Sequence, residues 1–234
     1  MAMQELLVEA VGSQRGVGAA DRLCGACVGL LNVDAVAIGL IFDGASTGTF
    51  GVSGPPARVY DEVQFTVGEG PCFDSVSKSA PVAVPDLAAE VRWSAYPAAL
   101  MAHGIRSVYA LPIVVAGEAV GVLNLFRSRP GPLAGDEMAG ALLAAELAEM
   151  PLLDLLGQDL LGRGGDPGSD LWTELTALTR TEVNQATGML VAQLDIGAAE
   201  ALVRLRAHAY ATNTSATDVA RAILDRRIRL EIDQ

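Results

Sequence analysis

Ala186-Thr187-Gly188, Leu205-Arg206-Ala207-His208-Ala209, Asn213 and Asp218-Val219-Ala220 lie in one run, Glu182 to Arg229, and their spacing decides how the chain divides. Upstream, Ser169 or Asp170 supplies an N-cap. Leu171, Leu175, Leu178, Val183, Ala186 and Leu190 then trace one helical stripe that ends near Leu194. Asp195-Ile196-Gly197 makes a turn, with Glu200 as the acidic half of a capping arrangement. A second helix buries Ala201, Leu202, Leu205 and Ala209. A third, opened by Ser215 and Asp218, presents Val219, Ala220, Ile223 and Leu224 as one apolar face. Three such helices make a compact bundle.

Immediately upstream, Gly162-Arg163-Gly164-Gly165-Asp166-Pro167-Gly168-Ser169 reads as a linker. It divides the 234 residues into a front domain (1–161), the linker (162–169) and a back domain (170–234). The early apolar positions of the back domain approximate a heptad with Trp172 beside them. They suit either a parallel coiled coil between two protomers or packing on the front domain.

The front domain mixes α and β patterns. Ala20 to Leu31 reads as an amphipathic helix with Cys24, Cys27 and Leu31 at helical spacing. Val36 to Phe42, ended by Asp43-Gly44, reads as a buried strand. Thr49 to Val52 and Val63 to Val67 are strand candidates, the latter broken by Gly68-Glu69-Gly70-Pro71, and Val82 to Val84 is a short edge strand. Leu87 to Met101 is irregular to helical. Ser107 to Val115 and Ala119 to Phe126 alternate about Gly117-Glu118 as a β-hairpin. A long helix from about Leu133 to Leu156 closes the domain, with Pro151 expected to kink or end it. The order predicts an α+β domain, an antiparallel sheet flanked by helices, followed by an all-α domain.

Hydrophobic residues make up 51% of the chain and charged residues 19%, enough to bury a core and to exclude global disorder. The absence of a long uncharged apolar run and of a basic N-terminus argues against a membrane span and a signal peptide, and points to the cytoplasm. Cys24-x-x-Cys27 has no second pair and no nearby His to complete a zinc site, so no metal is expected and small buried thiols are the reading. One Lys, Lys78, against fifteen Arg suggests a GC-rich bacterial genome.

The formal charge of −12 taken alone speaks against nucleic-acid binding. Its distribution says otherwise. From Asp166 onward the net charge is −3 and before it −9, while the window 204–229 is net +4 through Arg204, Arg206, Arg221, Arg226, Arg227 and Arg229 against Asp218 and Asp225. Such a patch suits phosphate contact or a solvated helix face.

If the first two helices of the bundle run antiparallel, Thr187 comes opposite Arg204, with Gly188 near the same level. A mid-helix Gly costs about 1 kcal/mol relative to Ala. Close helix packing is the reason the residues favour, and close approach of RNA is the alternative. Arg206 and Asn213, two turns apart, share a face if the helix persists, with Tyr210 beside them. A guanidinium, an amide and an aromatic ring can grip phosphate, read a base edge and stack on an unpaired base; they can equally be surface residues and a helix C-cap.

The motif set of the back domain resembles the ANTAR domain, a three-helix module that binds RNA and controls transcription antitermination. The resemblance implies that Ala186, Thr187 and Gly188, and the segment from Arg206 through Tyr210 to Asn213, contact RNA, with Arg204 a further candidate. Many ANTAR domains carry Lys where this chain has Thr187. The front domain, through Gly68-Glu69-Gly70-Pro71-Cys72, Pro85-Asp86-Leu87, Arg92-Trp93, Gly104-Ile105-Arg106-Ser107, Leu111-Pro112-Ile113 and Gly117-x-x-x-Gly121-x-Leu123-Asn124, resembles a GAF domain.

Together the two resemblances imply a bacterial, actinobacterial regulator and no enzyme. Its RNA target would be tandem stem-loops with hexanucleotide loops in a nascent leader transcript, and homodimers would engage paired loops. A small-molecule ligand of the GAF domain is implied without being named, so the cofactor is unknown. Cys72 and His103 are candidates for ligand or redox sensing. The rival reading is a small-molecule or redox sensor whose helical tail makes protein–protein or DNA contacts.

Overall fold

The computed structural model describes residues 3–12, 15–42, 45–160 and 180–231. The linker at 162–169, the cap at Ser169 or Asp170, the Leu171–Leu175–Leu178 stripe with Trp172, and the Asp43-Gly44 turn lie outside the described residues.

Five strands form one antiparallel sheet: β1 (Ala35–Phe42), β2 (Ala45–Val52), β3 (Val82–Val84), β4 (Ser107–Val115) and β5 (Glu118–Arg127), in the order β2-β1-β5-β4-β3. The expected hairpin is β4–β5, in register from Ser107 opposite Arg127 to Val115 opposite Glu118, so its turn is Ala116-Gly117, one residue earlier than expected. The edge strand β3 covers β4 only from Val108 to Ala110. Pro112, which has no N–H to donate, lies beyond that cover.

One face of the sheet is packed by α1 (Met3–Val11), α2 (Gly16–Leu30), α6 (Gly135–Leu147) and α7 (Glu149–Leu160). Leu23, Cys24, Cys27 and Leu31 are wholly buried there against Ile38, Phe50, Leu111 and Leu123, as the helical spacing of the thiols predicts. α2 seats so closely on β2 that a Cβ at Gly51 would stand 2.7 Å from that of Ala20. The long closing helix is two helices. The break falls at Ala148, and Pro151 sits in the first turn of α7, where a missing N–H costs nothing.

The other face carries α3 (Pro55–Val67), α4 (Pro71–Lys78) and α5 (Tyr96–Met101). Here the expectation of a strand at Val63 to Val67 fails: those residues are the last turn of α3. Pro55 and Pro56 occupy the first helical positions, where their fixed φ is an asset. Gly68, at φ +71°, terminates the helix by donating its N–H to the Gln64 carbonyl. Burial of Ala57, Asp61, Gln64 and Phe65 follows the helical period, which overrides the β-propensity of Val63, Thr66 and Val67.

The back domain is a bundle of α8 (Thr181–Leu194), α9 (Ala198–Ala211) and α10 (Ala216–Leu224). Val183, Ala186, Leu190, Ala201, Leu205, Ala209, Val219, Ala220 and Ile223 form its core, as the spacing predicts. Leu230 closes the core from the C-terminal segment, held where Gln193 Nε2 donates to its carbonyl at 2.6 Å. Asp195, at φ +55°, ends α8. The chain then turns through 109° into α9, so the two helices cross and do not run antiparallel. The expected pairing of Thr187 with Arg204 fails for that reason, and Arg204 instead meets Glu200 one turn back at 3.0 Å. Ser215 caps α10, accepting the Asp218 N–H at 3.0 Å.

Candidate nucleic-acid interface

The bundle is fastened to the front domain through α3. Phe65 inserts into the bundle core, and two guanidiniums lie over its ring, Arg180 at 4.0 Å and Arg206 at 4.4 Å. Arg180 also bridges Asp61 at 3.1 Å and Glu62; the three side chains are only 10%, 4% and 18% exposed. Thr49 on β2 donates to the same Asp61 carboxylate oxygen at 2.5 Å, tying the bridge to the sheet. Glu62 reaches past Arg180 to the start of α10, accepting from the Thr217 N–H at 3.2 Å and its hydroxyl at 2.8 Å. Thr66 accepts the Ala216 N–H at 3.0 Å. Two carboxylates thus balance two guanidiniums, and α3 satisfies amides that the helix itself leaves unpaired.

The sequence candidates are placed unevenly about this contact. Arg206 points into it. Burial and then the charge of Arg180 hold its guanidinium below the ordinary value, and its buried Nε has no partner among the described residues. Tyr210, one turn on, is exposed and lines a cleft of about 2110 Å³ between the domains, as do Asn213 and His103. Asn213 does not share a helical face with Arg206, because α9 ends at Ala211. Asn213 sits at φ +53° in the left-handed position of a Schellman cap, its N–H bonded to the Tyr210 carbonyl and that of Thr214 to the Ala209 carbonyl.

In α8, Ala186 is core, the Thr187 hydroxyl is buried without a partner among the described residues, and Gly188 is exposed. Among the described residues a Cβ at Gly188 would meet nothing within 4 Å, so close packing against them is not its reason. Gly188→Ala should therefore stabilise the bundle by about 1 kcal/mol in urea unfolding. Weaker RNA binding by that stabilised variant is the expected mark of a close RNA approach, and unchanged binding would deny one.

Three of the six arginines in the basic window are paired at the surface. Arg221 meets Glu182 at 3.2 Å and Arg227 meets Asp225 at 3.0 Å, like Arg204 with Glu200. Exposed pairs of this kind are worth about 0–1 kcal/mol, so a phosphate can replace the carboxylate at little cost. Asp61, Glu62, Phe65 and Arg180 also belong to the interface and were not among the sequence candidates. Pro55-Pro56 and Gly68, as helix start and stop signals, would have revealed the helix that carries three of them.

Cys72 and His103 are not brought together. Cys72 is buried on α4 against Ile41, Ala110 and Val122, while His103 is exposed beyond α5, its ring 6.2 Å from that of Tyr60. Burial, then the Asp61 charge, pushes the Cys72 thiol well up; burial and Cys27 do the same to Cys24, and burial pushes Cys27 up to about 12. The thiolate is the reactive form, so all three should resist a thiol reagent near neutral pH and react only after denaturation. Rapid labelling of native Cys72 would contradict this. Among the described residues no group of three or more His, Cys, Asp or Glu could hold a metal ion.

No curated protein matches the chain. Solved structures match the front domain. The GAF domain of a phosphoenolpyruvate-protein phosphotransferase from Coxiella burnetii aligns at TM-score 0.50 and 19% identity, covering 62% of this chain and 90% of that one. The corresponding domain from Acinetobacter aligns at TM-score 0.50 and 11% identity, covering 63% and 88%. At these identities the likeness shows the fold alone. The family profile of the GAF domain matches residues 18–150, more than half of the chain, and that of the ANTAR domain matches residues 174–224. The chain therefore belongs to the GAF-domain family and carries an ANTAR domain behind its GAF domain.

Proposed function

We propose that the protein is a transcription antitermination regulator: its ANTAR domain binds tandem stem-loops in a nascent leader transcript under control of the GAF sensor. The observation that carries this reading is the ANTAR match over 174–224, set directly against a GAF domain by side chains of both. ANTAR is the RNA-binding antitermination module and GAF a sensor domain. The exposed Tyr210 offers a stacking surface for an unpaired loop base, and Arg204, Arg206, Asn213, Thr187 and Gly188 are the other contacts, while the wholly buried Ala186 holds that segment from the core. Binding alone supplies the energy, by favouring the antiterminator conformer over the terminator, so no catalytic step is needed.

Within this reading the protein acts in the cytoplasm as a homodimer and takes a small-molecule ligand in its GAF domain. Among the described residues no single helix is long and apolar enough to cross a membrane. Val8, Leu142, Met150 and Leu153 on α1, α6 and α7 expose large apolar side chains that a second copy would cover. Ultraviolet crosslinking in the native cell tests the reading. The recovered transcripts should share paired stem-loops ahead of a terminator, and a recovered pool without shared structure would sink it.

A further inference from the structure

The groups of the ANTAR domain that meet α3 are those suited to a nucleotide. Arg180 is a guanidinium fork on two carboxylates, Arg180 and Arg206 both lie over one aromatic ring, and the first amides of α10 are satisfied by side-chain oxygens. Each partner on α3 has a counterpart in single-stranded RNA: Asp61 and Glu62 for phosphate oxygens, Phe65 for an unstacked base, and Thr66 for a sugar or phosphate oxygen. The imitation is incomplete. Among the described residues Arg180 Nε and Arg206 Nε, both buried in the contact, have no hydrogen-bond partner, and a nucleotide with more acceptors would satisfy them.

We propose that α3 of the GAF domain is an RNA mimic seated on the ANTAR domain. In this arrangement Arg180, Arg206 and the first turn of α10 form one face that takes a phosphate and an unpaired base of a loop nucleotide. The inference rests on the RNA-binding reading above and adds Arg180 and the Ala216–Thr217 amides to its contacts. RNA and α3 then exclude one another, and the docked conformer is the one that does not bind. Asp61, fixed by Thr49 on β2, links the mimic to the sensor sheet, so a signal that shifts this strand acts on the same latch.

The test uses the full chain and a fluorescent tandem stem-loop RNA with hexanucleotide loops, at fixed salt. Glu62→Gln with Thr66→Val keeps side-chain shape while removing a carboxylate and an acceptor from the mimic; a circular dichroism melt confirms its fold. The double variant should bind about tenfold tighter than wild type, because more of it is competent to bind. In wild type, adding RNA should speed amide hydrogen exchange across residues 61–67, a readout that needs no variant. Equal affinities, with α3 still protected when RNA is bound, would overturn the mimic and leave the RNA reading standing. Failure of both proteins to bind would overturn both.

Discussion

Arg180→Ala is expected to destabilise the docked bundle by about 3–5 kcal/mol, the usual cost of removing one partner from a buried ion pair. The magnitude follows from burial. Asp61 is 4% exposed and Glu62 18%, so losing the guanidinium leaves two carboxylates facing each other with little water to solvate them. Phe65 also loses the nearer of its two cations. Arg221→Ala is the control. Its pair with Glu182 is 54% and 39% exposed, and deletion should cost at most about 1 kcal/mol. Urea unfolding followed by circular dichroism should show the helical bundle of the Arg180 variant melting ahead of the front domain. A single transition at the wild-type midpoint would contradict this account of how the domains are joined.

The same geometry explains what could be read in the sequence. The β4–β5 hairpin was legible because Ser107 to Phe126 alternates about a turn, and the bundle core because Val183, Ala186, Leu190, Ala201, Leu205 and Ala209 recur at helical spacing. α3 was misread because Val63, Thr66 and Val67 favour strands locally, whereas the helix is decided by its termini and by a buried face that is partly polar, Asp61 and Gln64. A charged residue on a core face carries no hydrophobic signal, and its partner Arg180 lies 119 residues away. The angle between α8 and α9 was equally illegible. Turn residues state that a helix ends, while the 109° crossing is set by packing around Ala186, Leu190, Ala201 and Leu205. Arg206, singled out in the sequence as an RNA contact, meets in the structure an aromatic ring from the other domain.

The second large expected effect is on RNA. If two ANTAR domains of a dimer engage two loops, the second contact is intramolecular, and tandem stem-loop RNA should bind about 10²–10⁴-fold tighter than a single stem-loop. Arg206→Ala removes a guanidinium that lies over Phe65 and that we propose also contacts RNA. It should weaken tandem binding by roughly tenfold or more, in line with about 1.5–3 kcal/mol for a hydrogen bond to a charged group. The formal charge of −12 repels the phosphates of RNA and duplex DNA alike, so the expected preference for stem-loop RNA rests on the local face, where the exposed Tyr210 suits an unpaired base.

Titration of the full-length protein with fluorescent tandem stem-loop RNA, single stem-loop RNA and duplex DNA at one salt concentration, with Arg206→Ala alongside, tests the central claim most directly. The account predicts preference for the tandem RNA over both alternatives, lost in the variant. Equal binding to all three ligands, or tandem binding that Arg206→Ala leaves intact, would contradict it.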